Sequence, residues 1–370
     1  MVTANRAGAV LTIDLNSISA NYRFLRNLAA PAKCGAVVKC DAYGLGLKPI
    51  AKTLAEEGCN IFFVATPDEA FELHTELKKF ERKFSIYMLN GLGSHGIEVC
   101  NQYISPVLNS LKDIEIWSAY CSRTISAHPA IVNFDTGISR LGLDKTETVK
   151  VLNDHSLLGS ISIAYVMSHL ACADEPEHPL NLQQNQKFKN IIDNLCGRHL
   201  SSLSNSAGLF LGKDYHFDMV RPGAAIYGIG CTSSDRKNLN PAITLKGEIL
   251  QTRIIDRDST VGYGAEGVVK KSSRIATVSL GYGDGLFRQL GNKGYGFIEG
   301  HRVPIIGRVS MDLVTINVTD LPETKCYAGK MVEFIGVHQS VDELAENAGT
   351  IAYEIITAFG NRLFRKYVGG

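Results

Sequence analysis

The chain has no long apolar run. Its longest stretches of consecutive apolar residues are about 5–8 residues, far below the roughly 20 that span a bilayer, so a membrane-spanning helix is not expected. It has no excess of one charge. Lys and Arg number 38 against 37 Asp and Glu, a formal net charge of +1, and no field of that size selects nucleic acid or an anionic membrane surface. The nine cysteines are odd in number and form no Cys-x-x-Cys pair. That pattern argues against a disulfide framework or a zinc site and for reduced thiols in a cytoplasm. Met1 to Val10 carries one arginine and no apolar stretch, which is not a signal-peptide pattern. No repeat and no low-complexity tract is present.

What is there is the composition of an ordinary globular chain, 45% apolar and 20% charged over 370 residues. That length suits two domains, or one large α/β barrel with an appendage. The first two-thirds alternate strand-like apolar runs with helical patterns. Asn16 to Leu28 places Ile18, Tyr22, Leu25 and Leu28 at helical spacing. Strand candidates follow at Cys34–Val38, Asn60–Val64, Phe84–Leu89, Tyr103–Leu108, Ala130–Phe134, Ile161–Met167, Leu200–Ser204 and Asp218–Arg221. Eight strands separated by helix-sized segments predict a (β/α)8 TIM-type barrel. Near Asn240 the texture changes. Pro241–Ser259 alternates with period two, and short strands with Gly-rich turns follow, which predicts a mostly β C-terminal domain. The expected division is a barrel over 1–240 and a β domain over 241–370. The run Val10 to Leu15 fits either, so about the first 12 residues could pair with the second domain.

In a parallel barrel, chemistry gathers at the C-terminal ends of the strands. Lys39, Asp41 and Tyr43 follow the first strand, Arg140 lies past the fifth, and His169 follows the sixth. Asn205 and Ser206 follow the seventh, and Arg221, Pro222 and Gly223 the eighth. Barrels often hold a phosphate between the last two loops, where small residues let backbone N–H groups approach the oxygens. The loops Ser204-Asn205-Ser206-Ala207-Gly208 and Arg221-Pro222-Gly223-Ala224 have that composition. Either alone reads equally well as a helix cap or a turn.

The segment Ala36-Val37-Val38-Lys39-Cys40-Asp41-Ala42-Tyr43-Gly44-Leu45-Gly46 resembles the cofactor-lysine motif of the alanine racemase family. The resemblance continues in family order through 135–142, Ser168-His169-Leu170-Ala171-Cys172-Ala173-Asp174, 204–208, Arg221-Pro222-Gly223 and Gly262-Tyr263-Gly264. It closes with Gly281-Tyr282-Gly283-Asp284-Gly285, 307–312 and Tyr353-Glu354-Ile355. It implies a pyridoxal 5'-phosphate (PLP) enzyme that interconverts L- and D-alanine, supplying D-alanine for peptidoglycan, with no metal. A racemase removes an α-proton from one face and returns it to the other, so it needs two bases and a sink for the carbanion charge. The resemblance makes Lys39 the lysine that holds the cofactor and the base for the D face, and Tyr263 the base for the L face. It makes Arg221 the cation at the pyridine nitrogen and His169 the histidine beside the ring. Tyr43, Ser206, Gly223, Ala224 and Tyr353 match phosphate ligands, with Asn205 in the same loop. Arg140 matches the arginine near the ring hydroxyl and the substrate carboxylate, and Met311 offers that carboxylate a backbone amide. Tyr282, Asp174, Arg288, Arg308 and Ile351 match the entrance corridor. In the family, the residues matching Tyr263 and Met311 reach into a partner's site, so a homodimer is implied.

Many members carry a carbamylated lysine two residues before the Asp of Asp-Thr-Gly, but here that position is Asn133. A carbamate is impossible there. The expectation is that the Asn133 amide, or a bound anion such as chloride, positions Arg140. Ser310 replaces a cysteine of some members. The runner-up is a serine or broad-specificity racemase of the same fold. Basic amino-acid decarboxylases share the layout but place an acid where Arg221 stands. Barrel-only proteins that carry the cofactor lack the β domain and any equivalent of Tyr263.

Overall fold

The structure, a computed structural model, describes residues 7–123, 128–158, 161–232 and 235–370. Seven parallel strands run in sequence order: Ala36–Val37, Ile61–Val64, Ser85–Met88, Ile104–Leu108, Ala130–Asn133, Ile163–Met167 and Ser201–Ser202. Short strands at Lys33–Cys34 and Met219–Val220 pair in parallel and complete the ring. Backbone bonds tie them on either side. The Gly35 N–H donates to the Val220 carbonyl at 2.9 Å and the Arg221 N–H to the Ser204 carbonyl at 2.9 Å. The result is the eight-stranded barrel expected from the sequence, its first strand broken at Gly35. The strands Ile61–Val64, Ile104–Leu108 and Ala130–Asn133 are buried along their whole length. Helices cover their outer faces, so continuous apolar runs are what a parallel barrel demands.

The β part is built on one 12-residue strand, Ile243–Ile254. Its first seven residues alternate buried and half-buried, matching the period-two pattern, with Leu245 and Ile249 fully enclosed. This strand pairs antiparallel with Met331–Ile335 and Arg274–Val278, and with the N-terminal strand Ala9–Asp14. Ala9–Asp14 also pairs in parallel with Phe364–Val368 at the C-terminus. The first and last described strands therefore lie in one sheet. Phe364–Val368 was not legible as a strand. It is an edge strand carrying Arg365 and Lys366, and charge on an edge blunts the apolar signal. The segment Val341–Ala358 resolves into two helices, Val341–Ala348 and Ala352–Thr357.

The helix Ala352–Thr357 and the last strand both reach the barrel rim. The Arg365 guanidinium donates to the Gly44 carbonyl at 3.0 and 3.2 Å, and the Tyr367 hydroxyl to the Leu45 carbonyl at 2.9 Å. Gly44 has φ +80°, and a Cβ there would lie 2.5 Å from the Ile356 carbonyl oxygen. The turn after Lys39 is thus pinned from above by the β part. Among the described residues no helix is long and apolar enough to cross a membrane.

Candidate active site

A cavity of about 1010 Å³ opens at the C-terminal ends of the barrel strands. Lys39, Tyr43, Arg140, His169, Asn205, Ser206, Arg221, Gly223, Ala224 and Tyr353 all line it. These residues come from the segments after five of the strands and from the helix Ala352–Thr357, so the closed barrel converts sequence-distant residues into one ring.

Lys39 begins an unusual turn. Cys40, Asp41, Ala42 and Tyr43 all take left-handed backbone angles, φ 52° to 59°. L-residues resist that conformation by about 1–2 kcal/mol each, so surrounding bonds must hold it. The Glu69 carboxylate accepts the Cys40 N–H at 2.6 Å, and the Asp41 carboxylate accepts the Leu47 N–H at 2.7 Å. Burial, followed by the nearby Arg140 charge, holds the Lys39 amine below its ordinary pKa. Both effects favour the neutral, nucleophilic form.

The floor of the cavity is cationic and enclosed. Arg221 is 3% exposed. Its guanidinium donates to the Ser168 carbonyl at 2.6 Å, the Leu203 carbonyl at 3.4 Å and the Ser202 hydroxyl. All of these acceptors are neutral. Burial lowers Arg221 to about 10, which still leaves it charged at neutral pH. His169 is pushed down to about 3 by burial, then by the charges of Arg221, Arg140 and Lys39, so its ring is neutral. Asn205 Nδ2 lies 3.5 Å from His169 Nε2. Behind the ring, the fully buried Gln184 donates to the His169 carbonyl at 2.9 Å and to the Thr136 hydroxyl at 3.2 Å. Its own oxygen accepts the Ala171 N–H at 2.8 Å. Gln184 joins the Asp-Thr-Gly and Ser-His-Leu loops. Nothing in the sequence distinguishes it from any other polar residue of its helix.

At the opposite end the donors suit a phosphate. The Ser206 hydroxyl accepts the Gly223 N–H at 2.9 Å and the Ala225 N–H at 3.3 Å, which fixes its oxygen beside the turn opening Ala224–Tyr227. A Cβ on Gly223 would lie 2.3 Å from the Tyr43 hydroxyl, so only glycine leaves that cradle open. The Tyr43 and Tyr353 rings sit 6.2 Å apart, and burial pushes both hydroxyls far up, keeping them protonated donors. A lysine amine, a buried guanidinium and a hydroxyl-and-amide cradle in one cavity fit PLP. Lys39 would hold its aldehyde carbon, Arg221 would face the pyridine nitrogen, and the cradle would take the phosphate.

Asn133 lines the same cavity, but its amide is committed elsewhere. Its Nδ2 donates to Asn109 Oδ1 at 2.8 Å, and among the described residues no hydrogen bond joins Asn133 to Arg140. The direct bond from this amide to Arg140, one of the two expected ways of positioning the arginine, is therefore not formed, and the donor group of Asn133 is turned to Asn109.

Tyr263 and Met311 are not in this cavity. Tyr263 is 73% exposed and Met311 54% exposed. Tyr263 lies in a second cleft of about 330 Å³, with Tyr282, Arg288, Arg308, Val309 and Ser310. Arg308 there is ion-paired to Glu266. Of the corridor residues, Tyr282, Arg288 and Arg308 belong to this cleft, Ile351 to the Lys39 cavity, and Asp174 is exposed and lines neither.

Residues 13–230 match the family model for the alanine racemase N-terminal domain, and residues 242–367 that for the C-terminal domain. The chain belongs to the alanine racemase family. An alanine racemase of Brucella abortus is 43% identical over 376 residues, covering 98% of this chain and 94% of that protein. One from Rickettsia canadensis is 43% identical over 96% of this chain and 98% of its own. Among solved structures, alanine racemase from Bartonella henselae with covalently bound pyridoxal phosphate superposes with a TM-score of 0.91. It is 39% identical and covers 97% of this chain and 99% of its own. The biosynthetic alanine racemase of Pseudomonas aeruginosa gives 0.87 at 30% identity, covering 98% and 99%.

Proposed function

We propose that this member of the alanine racemase family interconverts L- and D-alanine with PLP, and that Lys39 and Tyr263 handle the α-proton on opposite faces. The observation that carries the proposal is the placement around one cavity of a partly buried lysine amine, a buried arginine with no carboxylate partner among the described residues, and a phosphate cradle. Bound there, the cofactor supplies an electron sink for the charge left when the α-proton departs. Ser206, the Ala224 amide, Tyr43 and Tyr353 would anchor its phosphate, and Gly223, its N–H bonded to the Ser206 hydroxyl, leaves room for it. Lys39 would hold it covalently, and as a free amine would move the proton on the D face. Arg221, charged and reluctant to give up its proton, would face the pyridine nitrogen without protonating it, which would restrain side reactions that need a stronger sink. Neutral His169 fixes the ring without competing for protons. Arg140 offers its guanidinium to the substrate carboxylate, and the Met311 amide of a second copy would complete that contact.

The functional unit we infer is a homodimer. A single chain leaves Tyr263 exposed in a cleft separate from Lys39, and a second copy that docks the β part over the barrel rim would complete the site. A cytoplasmic setting is supported by nine cysteines, none joined in a disulfide.

The decisive experiment is a racemisation assay with added PLP across L- and D-alanine, serine and a wider amino-acid panel. Loss of optical activity with alanine far above the others is expected. Equal rates on serine or larger substrates would favour a broad-specificity racemase, and no turnover on any would sink the proposal.

A further inference from the structure

Glu69 makes a contact that no helix cap requires. It is the third residue of the helix Pro67–Leu77, and with Thr66 it forms a reciprocal cap: the Thr66 hydroxyl accepts the Glu69 N–H at 3.4 Å, and Glu69 Oε2 accepts the Thr66 N–H at 3.2 Å. That same oxygen also accepts the Ala65 N–H at 2.7 Å, at the end of the second barrel strand. The other oxygen leaves the helix altogether. Oε1 accepts the N–H of Cys40, the residue following Lys39, at 2.6 Å, the shortest of the four contacts. One half-buried carboxylate thus bridges the end of a barrel strand and the left-handed turn that presents the lysine. Charge-assisted bonds to backbone N–H groups are about twice as strong as neutral ones, which suits a segment whose backbone would otherwise relax.

We propose that Glu69 is a positioning residue for Lys39: its carboxylate clamps the turn after the lysine to the second strand and sets the negative charge that balances the cations around the amine. The charged and titratable groups facing the amine are Arg140, Glu69 and Cys40, with His169 across the cavity. Arg140 and burial favour the neutral amine, and Glu69 opposes them. The same carboxylate fixes where the amine points and how readily it holds a proton. This proposal rests on the role given above to Lys39.

The test is Glu69→Gln in the holoenzyme. Glutamine keeps the shape and can still cap the helix through its oxygen, but its NH2 would meet the Cys40 N–H donor to donor, and the charge is gone. Two readouts apply: the visible absorbance of the lysine-bound cofactor titrated against pH, and the pH profile of kcat from D-alanine. With Glu69→Gln, both the absorbance transition and the acid limb of kcat should move to lower pH. Retention of cofactor on dialysis should weaken roughly tenfold, as expected for one lost charge-assisted bond. Thr66→Ala removes the cap hydroxyl but no charge, and should lower thermal stability while leaving both pH readouts in place. Unmoved pH readouts in Glu69→Gln, or equal movement in Thr66→Ala, would reduce Glu69 to a helix cap. Failure of the Lys39 role is separately visible, because Lys39→Ala would then still carry covalently linked cofactor.

Discussion

At the scale of single residues, environment decides what a common side chain can do. Lys39 is a lysine whose amine is depressed by burial and by Arg140, so it is a better nucleophile than a surface lysine. We expect Lys39→Ala to lose both covalent cofactor, read by absorbance, and racemisation. Tyr263→Phe should keep the cofactor and lower kcat by about 10²–10⁴, the usual worth of a proton-transfer group, which a polarimetric assay would show. His169 gives a pH effect with a definite sign. Its folded pKa of about 3 lies below the ordinary 6.5, so the unfolded chain binds the proton first as pH falls. Stability from this group is therefore full above pH 6.5 and is lost progressively as pH drops toward 3. His169→Gln should flatten that acid loss in urea melts at pH 7 and pH 5, at matched cofactor loading. An unchanged slope would mean the ring is protonated when folded.

At the scale of elements, the site depends on short irregular segments held by regular ones. Four left-handed residues follow Lys39, and they persist because the Glu69 carboxylate, the Arg365 guanidinium and the Tyr367 hydroxyl each bond the turn or its exit. The phosphate cradle depends on a missing side chain. We expect Gly223→Ala to drive Tyr43 aside, weaken PLP binding at least about tenfold in equilibrium titrations, and leave the barrel folded, since the loss is confined to one loop. Wild-type affinity in that variant would mean the phosphate sits elsewhere. These elements were legible to different degrees. The buried strands follow from apolar periodicity. The reach of Glu69 to Cys40 spans 29 positions and leaves no periodic trace. Gln184 is hidden for the same reason: its partners at Thr136, His169 and Ala171 become neighbours only when the barrel closes.

At the scale of the whole molecule, the two proposed bases stand apart. Lys39 lines the barrel cavity and Tyr263 an exposed cleft of the β part. If two copies complete each other's sites, mixing inactive Lys39→Ala with inactive Tyr263→Phe should restore activity. A heterodimer then carries one intact site, and random re-pairing gives roughly a quarter of the native rate. No recovery after verified subunit exchange would place both bases in one chain.

Sequence alone determined the alternation that makes a barrel, the period-two strand of the β part, and the cavity residues from Lys39 to Tyr353, because those depend on local periodicity and on motifs read in order. Tertiary structure decided what closes around them. It joined the first and last described strands, Ala9–Asp14 and Phe364–Val368, in one sheet, turned the Asn133 amide toward Asn109, and set Glu69 against the Cys40 N–H. Each of these is a hydrogen bond between residues far apart in the chain. Its partner is chosen by which groups closure leaves within about 3 Å, and that is a property of the closed ring and not of any segment.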